Sequence, residues 1–411
     1  MQYRKMPKID EELSALGYGC MRFPTVLGGV IDKDQAKEQL LLAIDNGLNY
    51  LDTAFPYHLG GSESFLGEHI LKDGYREKVY IATKMPSFFV RKSENLQKFF
   101  DKQIEKLNLD YIDYYLIHAL NGSLWDKMLS FGIIDFMDML KREKKVRYMG
   151  FSFHGSIDDF KRIVDDYDWD FTQVQYNLLD EHFQAGAEGI EYAASKDIGV
   201  VIMEPLRGGV LVGQIPKSVQ KIWDEAPLKR SPADWALRWI WNNPNVHVVL
   251  SGMNKKNHII ENMNTAHSSY ANSLTDEELV IVDRVKEEYR RLLQVGCTGC
   301  RYCMPCPAGI DIPAAFHSLN SLHLYKRLMS LYEYASVTGL EKDPKWTSAC
   351  IDCGNCEKAC PQNIEVRKEF LKVQRSIERP IVKFLIRYVL RPFWVGTQKI
   401  TDKFLKEEQN Q

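Results

Sequence analysis

Cysteine is almost missing from the first 296 residues, where Cys20 stands alone; the other eight are crowded between Cys297 and Cys360. A chain so distributed has little to staple in its longer part, and a disulfide scaffold is not expected. An excess of positive charge is missing too. Lysine and arginine (53) are offset by aspartate and glutamate (55), for a formal net charge of -2. No general basic field is then available to hold phosphates, and nucleic acid is not expected as a partner. No apolar stretch is long enough to cross a bilayer free of charges. The opening residues, MQYRKMPKIDEELS, are charged and lack an apolar core, so neither a secretory signal nor an anchor is expected there. Finally, no G-x-G-x-x-G follows the first strand-like run, although a doubly wound sheet that bound a dinucleotide would need one.

What is present begins with room for a core. At 411 residues and 45% hydrophobic, the chain can form one barrel-sized domain and a smaller appendage. Strand-like runs fall at Leu16–Cys20, Leu48–Asp52, Val79–Thr83, Ile112–Ile117, Val146–Phe151, Phe171–Gln175, Val200–Met203 and Val246–Leu250. Helical patterns lie between them, such as Lys33–Asn46, Ser93–Leu107, Ser156–Asp166, Ala185–Lys196, Pro232–Asn242 and Lys255–Ala266, with Ser93, Ser156 and Ser231 placed as N-caps. Eight strands alternating with helices over about 250 residues is the count of a (β/α)8 barrel, and an open doubly wound sheet is the alternative.

Chemistry on a barrel belongs at the carboxyl ends of its strands. Asp52 ends the second run, Tyr57 follows five residues on, Lys84 follows the third and His118 the fourth. Each alone reads equally as a turn cap, a half-buried aromatic, a surface charge or a core histidine. Together they form a coherent acid-base set. A phenol with a reference pKa of about 10 donates a proton near neutrality only if a cation favours its phenolate. Lys84 would supply the cation, Asp52 would keep it protonated, and His118 would orient a substrate carbonyl towards Tyr57. His154 lies near the same rim and reads as a pocket residue, whereas Cys20 reads as a small buried hydrophobe.

The cysteine-rich end carries two runs, Cys297-x2-Cys300-x2-Cys303-x2-Cys306-Pro307 and Cys350-x2-Cys353-x2-Cys356-x3-Cys360-Pro361. Three thiolates at C-x2-C-x2-C spacing close around one iron-sulfur cube, and the cysteine before proline serves the other cube. This assigns Cys297, Cys300, Cys303 and Cys360 to one 4Fe-4S cluster and Cys350, Cys353, Cys356 and Cys306 to a second. Structural zinc is the alternative, since zinc also takes four thiolates from C-x2-C pairs. Clusters and unpaired thiols point to a reducing cytoplasm.

The segments LSALGYGCMRFP, LDTAFPY, IATK, DYYLIH, GFSFHG, VQYNLLD, EPLRGG and SGMNKKNHIIEN, followed by the cysteine runs, resemble the aldo-keto reductases that carry a C-terminal ferredoxin-type domain. The resemblance implies a (β/α)8 TIM barrel with Asp52, Tyr57, Lys84 and His118 as catalytic tetrad. It implies nicotinamide held by Ser152 and Gln173, with the stretch from Leu206 and the segment Ser251 to Asn262 covering the phosphates and adenosine. Gly252, Glu261 and Asn262 are the adenosine-side candidates. Departures occur at Phe153, where an asparagine is usual, at Met203, where an aromatic stacks on the nicotinamide, and at Glu204, where serine is common. Asn254 and His258 stand where a 2'-phosphate is read, which leaves NADP(H) and NAD(H) both open.

The expected organisation is a barrel over 1–272, a connecting helix over 273–295, a mainly helical ferredoxin-like domain over 296–378 and a basic tail over 379–411. The connecting helix opens on Thr275-Asp276-Glu277-Glu278, a capping-box pattern, and ends near Gly296. Between the cysteine runs, Pro313 to Val337 reads as helical, with Leu319, Leu322, Leu324, Tyr325, Leu328, Leu331 and Tyr332 as its apolar positions. In the tail, Ile381, Phe384, Leu385 and Tyr388 recur at helical spacing with Lys383, Arg387 and Arg391 interleaved. Such a stripe can lie on a membrane surface; packing on its own protein is the expectation for this one. The function expected is an oxidoreductase that interconverts a small-molecule carbonyl and an alcohol, coupled to two 4Fe-4S clusters. Because hydride carries two electrons and a cluster passes one, a flavin would bridge them. The alternatives are therefore a ferredoxin-linked reductase assisted by FMN or a flavoprotein partner, and a non-catalytic subunit that senses nicotinamide.

Overall fold

The computed structural model describes residues 1–26, 30–325, 331, 334, 335, 338 and 344–390. Met1–Val212 with Ile222–Arg284 form one compact unit, and Gly213–Lys221 with Val285–Gln411 form another.

In the first unit eight parallel strands close a barrel: β1 Leu16–Gly19, β2 Tyr50–Asp52, β3 Tyr80–Met85, β4 Ile112–Leu120, β5 Val146–Phe153, β6 Phe171–Gln175, β7 Gly199–Met203 and β8 Val248–Ser251. Closure comes from β8 pairing with both β7 and β1, Val249 opposite Ile202 and Leu16. Alternate residues turn inward, where Tyr50, Tyr114, Leu116, Phe171, Val201 and Val248 fill the barrel. A hairpin of Tyr3–Lys5 and Glu12–Ser14, unforeseen from the sequence because its strands are three residues each, adds Met6, Ile9 and Leu13 to that core. Three strands run further than their apolar runs suggest, to Met85, Leu120 and Phe153, so Lys84 and His118 lie within strands.

The helices start where side chains satisfy their free N–H groups. Asp32 caps Lys33–Asp45, Asn121 caps Gly122–Ser130, Ser156 caps Ile157–Asp166 and Ser231 caps Pro232–Trp241. Ser93 corrects the expectation: it precedes Glu94–Leu107 with helical backbone angles, and its side chain caps nothing. The helix Gly61–His69 packs on Glu94–Leu107 through Gly67, where an added Cβ would stand 2.4 Å from Lys106 O and 2.7 Å from Leu107 C. Asp276–Leu292 opens with a complete capping box: Thr275 N donates to Glu278 Oε2 at 3.0 Å, and Glu278 N to Thr275 Oγ1 at 3.2 Å.

The second unit is helical. Ile312–Tyr325 and Val366–Ser376 enclose a core of Ile310, Phe316, Leu319, Phe370 and Val373, and Pro380–Leu385 packs through Val382 in a smaller cluster with Ala335 and Ile386. Of the apolar positions expected between the cysteine runs, Leu328 and Tyr332 lie outside the described residues, as do Arg391 and the rest of the tail. The tail stripe overturns its expectation. Ile381, Phe384, Leu385 and Tyr388 are exposed, because Val382 and Ile386 on another side of the same segment make the inward contacts. Among the described residues no helix is long and apolar enough to cross a membrane.

Two stability measurements follow from this packing. Gly67→Ala should lower the free energy of unfolding by about 1–3 kcal/mol, since backbone atoms must move apart; an unchanged urea midpoint would contradict the close approach. Burial pushes the His247 imidazole down to about 4, while Val200 N donates to its Nδ1. The unfolded chain takes up that proton near pH 6.5 and the folded one does not, so the stability this imidazole contributes is full above about 6.5 and lost as pH falls towards 4. His247→Asn should make the fall of the melting temperature across that window shallower, measured by scanning calorimetry.

Candidate active site

At the carboxyl end of the barrel, the last residue of β2 faces the fifth residue of β3. Lys84 Nζ lies 2.7 Å from both Asp52 carboxylate oxygens and 2.8 Å from Thr53 O, so three acceptors meet its three N–H donors. Both side chains are buried, Lys84 completely. Burial pushes the Lys84 ammonium down and the Asp52 carboxyl up, and the attraction between them opposes both shifts.

Tyr57 follows β2 in a tight turn, its N donating to Ala54 O at 3.1 Å. Three left-handed residues come next, His58 (φ 52), Leu59 (φ 55) and Gly60 (φ 88), and they swing the chain straight into Gly61–His69. Phe23 N donates to His58 Nε2 at 3.2 Å, tying this turn to the one after β1. The Tyr57 ring centre stands 5.1 Å from Lys84 Nζ and 6.1 Å from the His118 ring, edge to face. His118 sits where the β4–β5 register shifts, between Ile117 and Leu120, next to Ala119 at φ 55. Such a bulge re-aims the side chain beside it. Burial, the Lys84 cation and His154 hold the His118 imidazole well below its usual value, so it is neutral. His154 joins this rim, half-buried, with Nδ1 3.1 Å from Gln184 Oε1. The four residues expected to converge do so.

Behind Lys84 is a polar layer the sequence reading missed. Glu63 Oε1 accepts from Thr83 Oγ1 and from Gln103 Nε2, both at 2.7 Å; Gln103 Nε2 also lies 3.0 Å from Lys84 O, and Tyr115 OH donates to Gln103 Oε1 at 2.8 Å. Cys20, fully buried, directs its thiol towards Tyr18 O at 3.7 Å, and burial followed by the Asp52 charge pushes its pKa well up, so it stays protonated.

On the neighbouring strands Ser152 and Gln173 stand opposite each other in register. Ser152 Oγ accepts from Ala119 N at 2.8 Å, which leaves its hydroxyl proton to donate. Gln173 Nε2 donates to Met203 Sδ at 3.6 Å, and the buried Gln173 Oε1 has no hydrogen-bond partner among the described residues. A donor beside an orphaned acceptor is the complement of a carboxamide, so these residues fit nicotinamide. Leu206 lies in the turn after β7, which Arg207 pins by donating to Asp180 Oδ2 at 3.1 Å. Gln175 and Asn177 bond the same oxygen. This buried pair was also missed, although VQYNLLD and EPLRGG each contain one of its charges.

Of the adenosine-side candidates, Gly252 and Asn262 meet at Ser251, while Glu261 lines a separate recess. Gly252 lies under Arg22, whose Cβ and Cδ would be 3.0 Å from an added Cβ. Asn262 Nδ2 donates to Ser251 Oγ at 2.9 Å. Asn254 lines a recess with Gln39, Lys255 and Lys256, whereas Glu261 lines a different one with Arg230 and accepts from Ser231. His258, half-buried on Lys256–Ser268, is held below its usual value by burial and Lys255.

In the second unit Cys297, Cys300, Cys303 and Cys360 line one cavity, walled by Ile312, Phe316, Ile364 and Val366. Burial and the neighbouring Cys297 and Cys360 push the Cys303 thiol up to about 12, so it stays protonated unless a bound cation favours its thiolate. Four thiolate donors around one apolar cavity fit an iron-sulfur cluster. Cys306, Cys350 and Cys356 pack on the same core, and Cys353 is exposed. Asp352 N donates to Cys350 Sγ at 3.4 Å. Among the described residues no three His, Cys, Asp or Glu side chains are placed to hold a single metal ion.

Comparison with known proteins agrees with this division. Residues 15–287 match the Aldo/keto reductase family, and 296–365 match the 4Fe-4S dicluster domain. The chain is 27% identical over 310 residues to the uncharacterized oxidoreductase YqkF of Bacillus subtilis, covering 68% of this chain and 94% of that protein. It is 26% identical over 318 residues to the L-galactose dehydrogenase of Arabidopsis thaliana (71% and 96% covered), and 24% identical over 331 residues to the NADH-specific methylglyoxal reductase of Escherichia coli (69% and 97%). Among solved structures, the holo form of an aldo-keto reductase from Bacillus halodurans shares the fold, with a TM-score of 0.58 at 23% identity over 69% of this chain and 96% of that one. With its family match spanning 15–287, the chain belongs to the aldo/keto reductase family, as an oxidoreductase barrel joined in one polypeptide to a 4Fe-4S dicluster domain.

Proposed function

We propose that the barrel interconverts a small-molecule carbonyl and its alcohol, with Tyr57 as general acid and base. The observation that carries this reading is the arrangement at the mouth: an ammonium fixed by Asp52 lies 5.1 Å from the Tyr57 ring centre, with a neutral imidazole alongside. A bound NADP(H) or NAD(H) supplies or accepts the hydride. Tyr57 handles the proton. As the carbonyl oxygen gains charge, the phenolic O–H bond breaks towards it, leaving an alcohol and a Tyr57 phenolate that the Lys84 cation stabilises. Neutral His118 has one N–H to offer, enough to hold the carbonyl oxygen in line. The Ser152 hydroxyl and Gln173 Oε1 orient the carboxamide, with Met203 beside them.

In the second unit Cys297, Cys300, Cys303 and Cys360 would hold one 4Fe-4S cluster, and Cys306, Cys350, Cys353 and Cys356 a second, each passing single electrons. The partner this implies is a one-electron carrier, a ferredoxin or a flavoprotein. Thiols kept for clusters require a reducing compartment, so we place the protein in the cytoplasm.

Tyr57→Phe should lower kcat by about 10²–10⁴-fold with nicotinamide affinity unchanged. Gln173→Leu should weaken that affinity and spare the proton step. Steady-state kinetics and nicotinamide fluorescence titration separate the two, and a Tyr57→Phe enzyme with full turnover would end the proposal. Anaerobically purified protein should carry about eight iron and eight sulfide per chain, falling to about four of each in Cys353→Ser; an unchanged iron content in that variant would remove Cys353 from the ligand set.

A further inference from the structure

The last described helical segment, Pro380–Leu385 continued by the π-helical turn Ile386–Leu390, has two apolar stripes and uses only one of them. Val382 and Ile386 pack inward, in the cluster that contains Ala335 and Trp346. Lys383 secures the same side: its Nζ lies 2.8 Å from Ser348 Oγ, 3.1 Å from Glu378 Oε2 and 5.2 Å from the Trp346 ring centre. Held there, the segment cannot roll to bury its other stripe. Ile381, Phe384, Leu385 and Tyr388 remain 68%, 58%, 46% and 60% exposed, the Phe384 and Tyr388 rings 5.0 Å apart. Four large apolar side chains side by side on a surface mark a contact site.

The charge around them indicates what covers the stripe. From Arg379 to Leu390 the sequence contains Arg379, Lys383 and Arg387 and no aspartate or glutamate, in a chain whose net charge is -2. Apolar residues on one face, cations beside them and aromatics between is the composition of a helix that lies in the headgroup layer. The apolar face enters the acyl boundary, the aromatic rings sit at the interface, and the cations meet lipid phosphates. We propose that this outward face docks on an anionic bilayer surface, with Arg379 and Arg387 as lipid-facing cations and Lys383 as the internal anchor of the segment.

The test uses the full chain, purified anaerobically, and sedimentation with vesicles of phosphatidylglycerol or of phosphatidylcholine. Wild type should co-sediment with phosphatidylglycerol at low salt, be released at high salt and leave phosphatidylcholine largely unbound. The double variant Phe384→Ser with Tyr388→Ser changes only exposed side chains, so its melting temperature and iron content should match wild type. Its partitioning should be at least about tenfold weaker. No binding to phosphatidylglycerol at low salt, or equal binding by wild type and variant, overturns the proposal. So does analytical ultracentrifugation without lipid in which wild type dimerises and the variant does not, because the stripe would then be a contact between copies.

Discussion

The buried ammonium of Lys84 is the constraint on which the first unit is arranged. An uncompensated charge at such a site costs several kcal/mol, and removing one partner of a buried pair typically costs about 3–5 kcal/mol. The chain meets the demand with two carboxylate oxygens from β2 and the carbonyl of the next residue, all within 2.8 Å. That solution fixes the mutual height of β2 and β3, which pair through Asp52 and Ala82. It also explains the second layer. Glu63, Thr83 and Gln103 form a closed set of bonds under the strand that carries the lysine, and Gln103 grips the lysine's own carbonyl.

The residues above the pair are positioned by irregular backbone. Tyr57 is set by the turn after β2 and followed by three successive left-handed residues, and His118 is aimed by a register shift whose stray Ala119 N–H is taken up by Ser152. Ser152 thus faces two ways, supporting the bulge that aims the imidazole and offering its proton towards the Gln173 side. The second unit uses another logic. Its thiols sit at cavity walls made of aliphatic and aromatic side chains, where the unligated thiolate is disfavoured and a cluster would restore the balance.

Much of this was legible in the sequence, because the features concerned are local and periodic. Alternating strand and helix patterns located all eight barrel strands, and strand ends located Asp52, Lys84 and His118. The C-x2-C-x2-C spacing singled out the thiols of the first run, and the cysteine before proline in the second run, Cys360, lines the same cavity as Cys297, Cys300 and Cys303. What escaped was long-range and irregular. Nothing near Glu63 announces Gln103 forty residues later, and nothing near Asp180 announces Arg207. In the tail, spacing revealed an apolar stripe and not its partner; a segment with two stripes can pack only one, and the choice was made by Val382, Ile386 and the Lys383–Glu378 pair. Glu261 illustrates the same limit, since its carboxylate is engaged by Ser231 thirty residues before it.

The satisfied state of Lys84 has one more chemical consequence. A primary amine with an open lone pair condenses with aldehydes and ketones to an imine, and a reductase that binds carbonyl compounds risks trapping them on its own lysine. Here every N–H is committed to an oxygen and no surface of the side chain is exposed, so no face of the nitrogen is open to a carbonyl. Under the carbonyl reduction proposed above, the site would keep a positive charge beside an electrophile and leave that electrophile unreacted until hydride arrives.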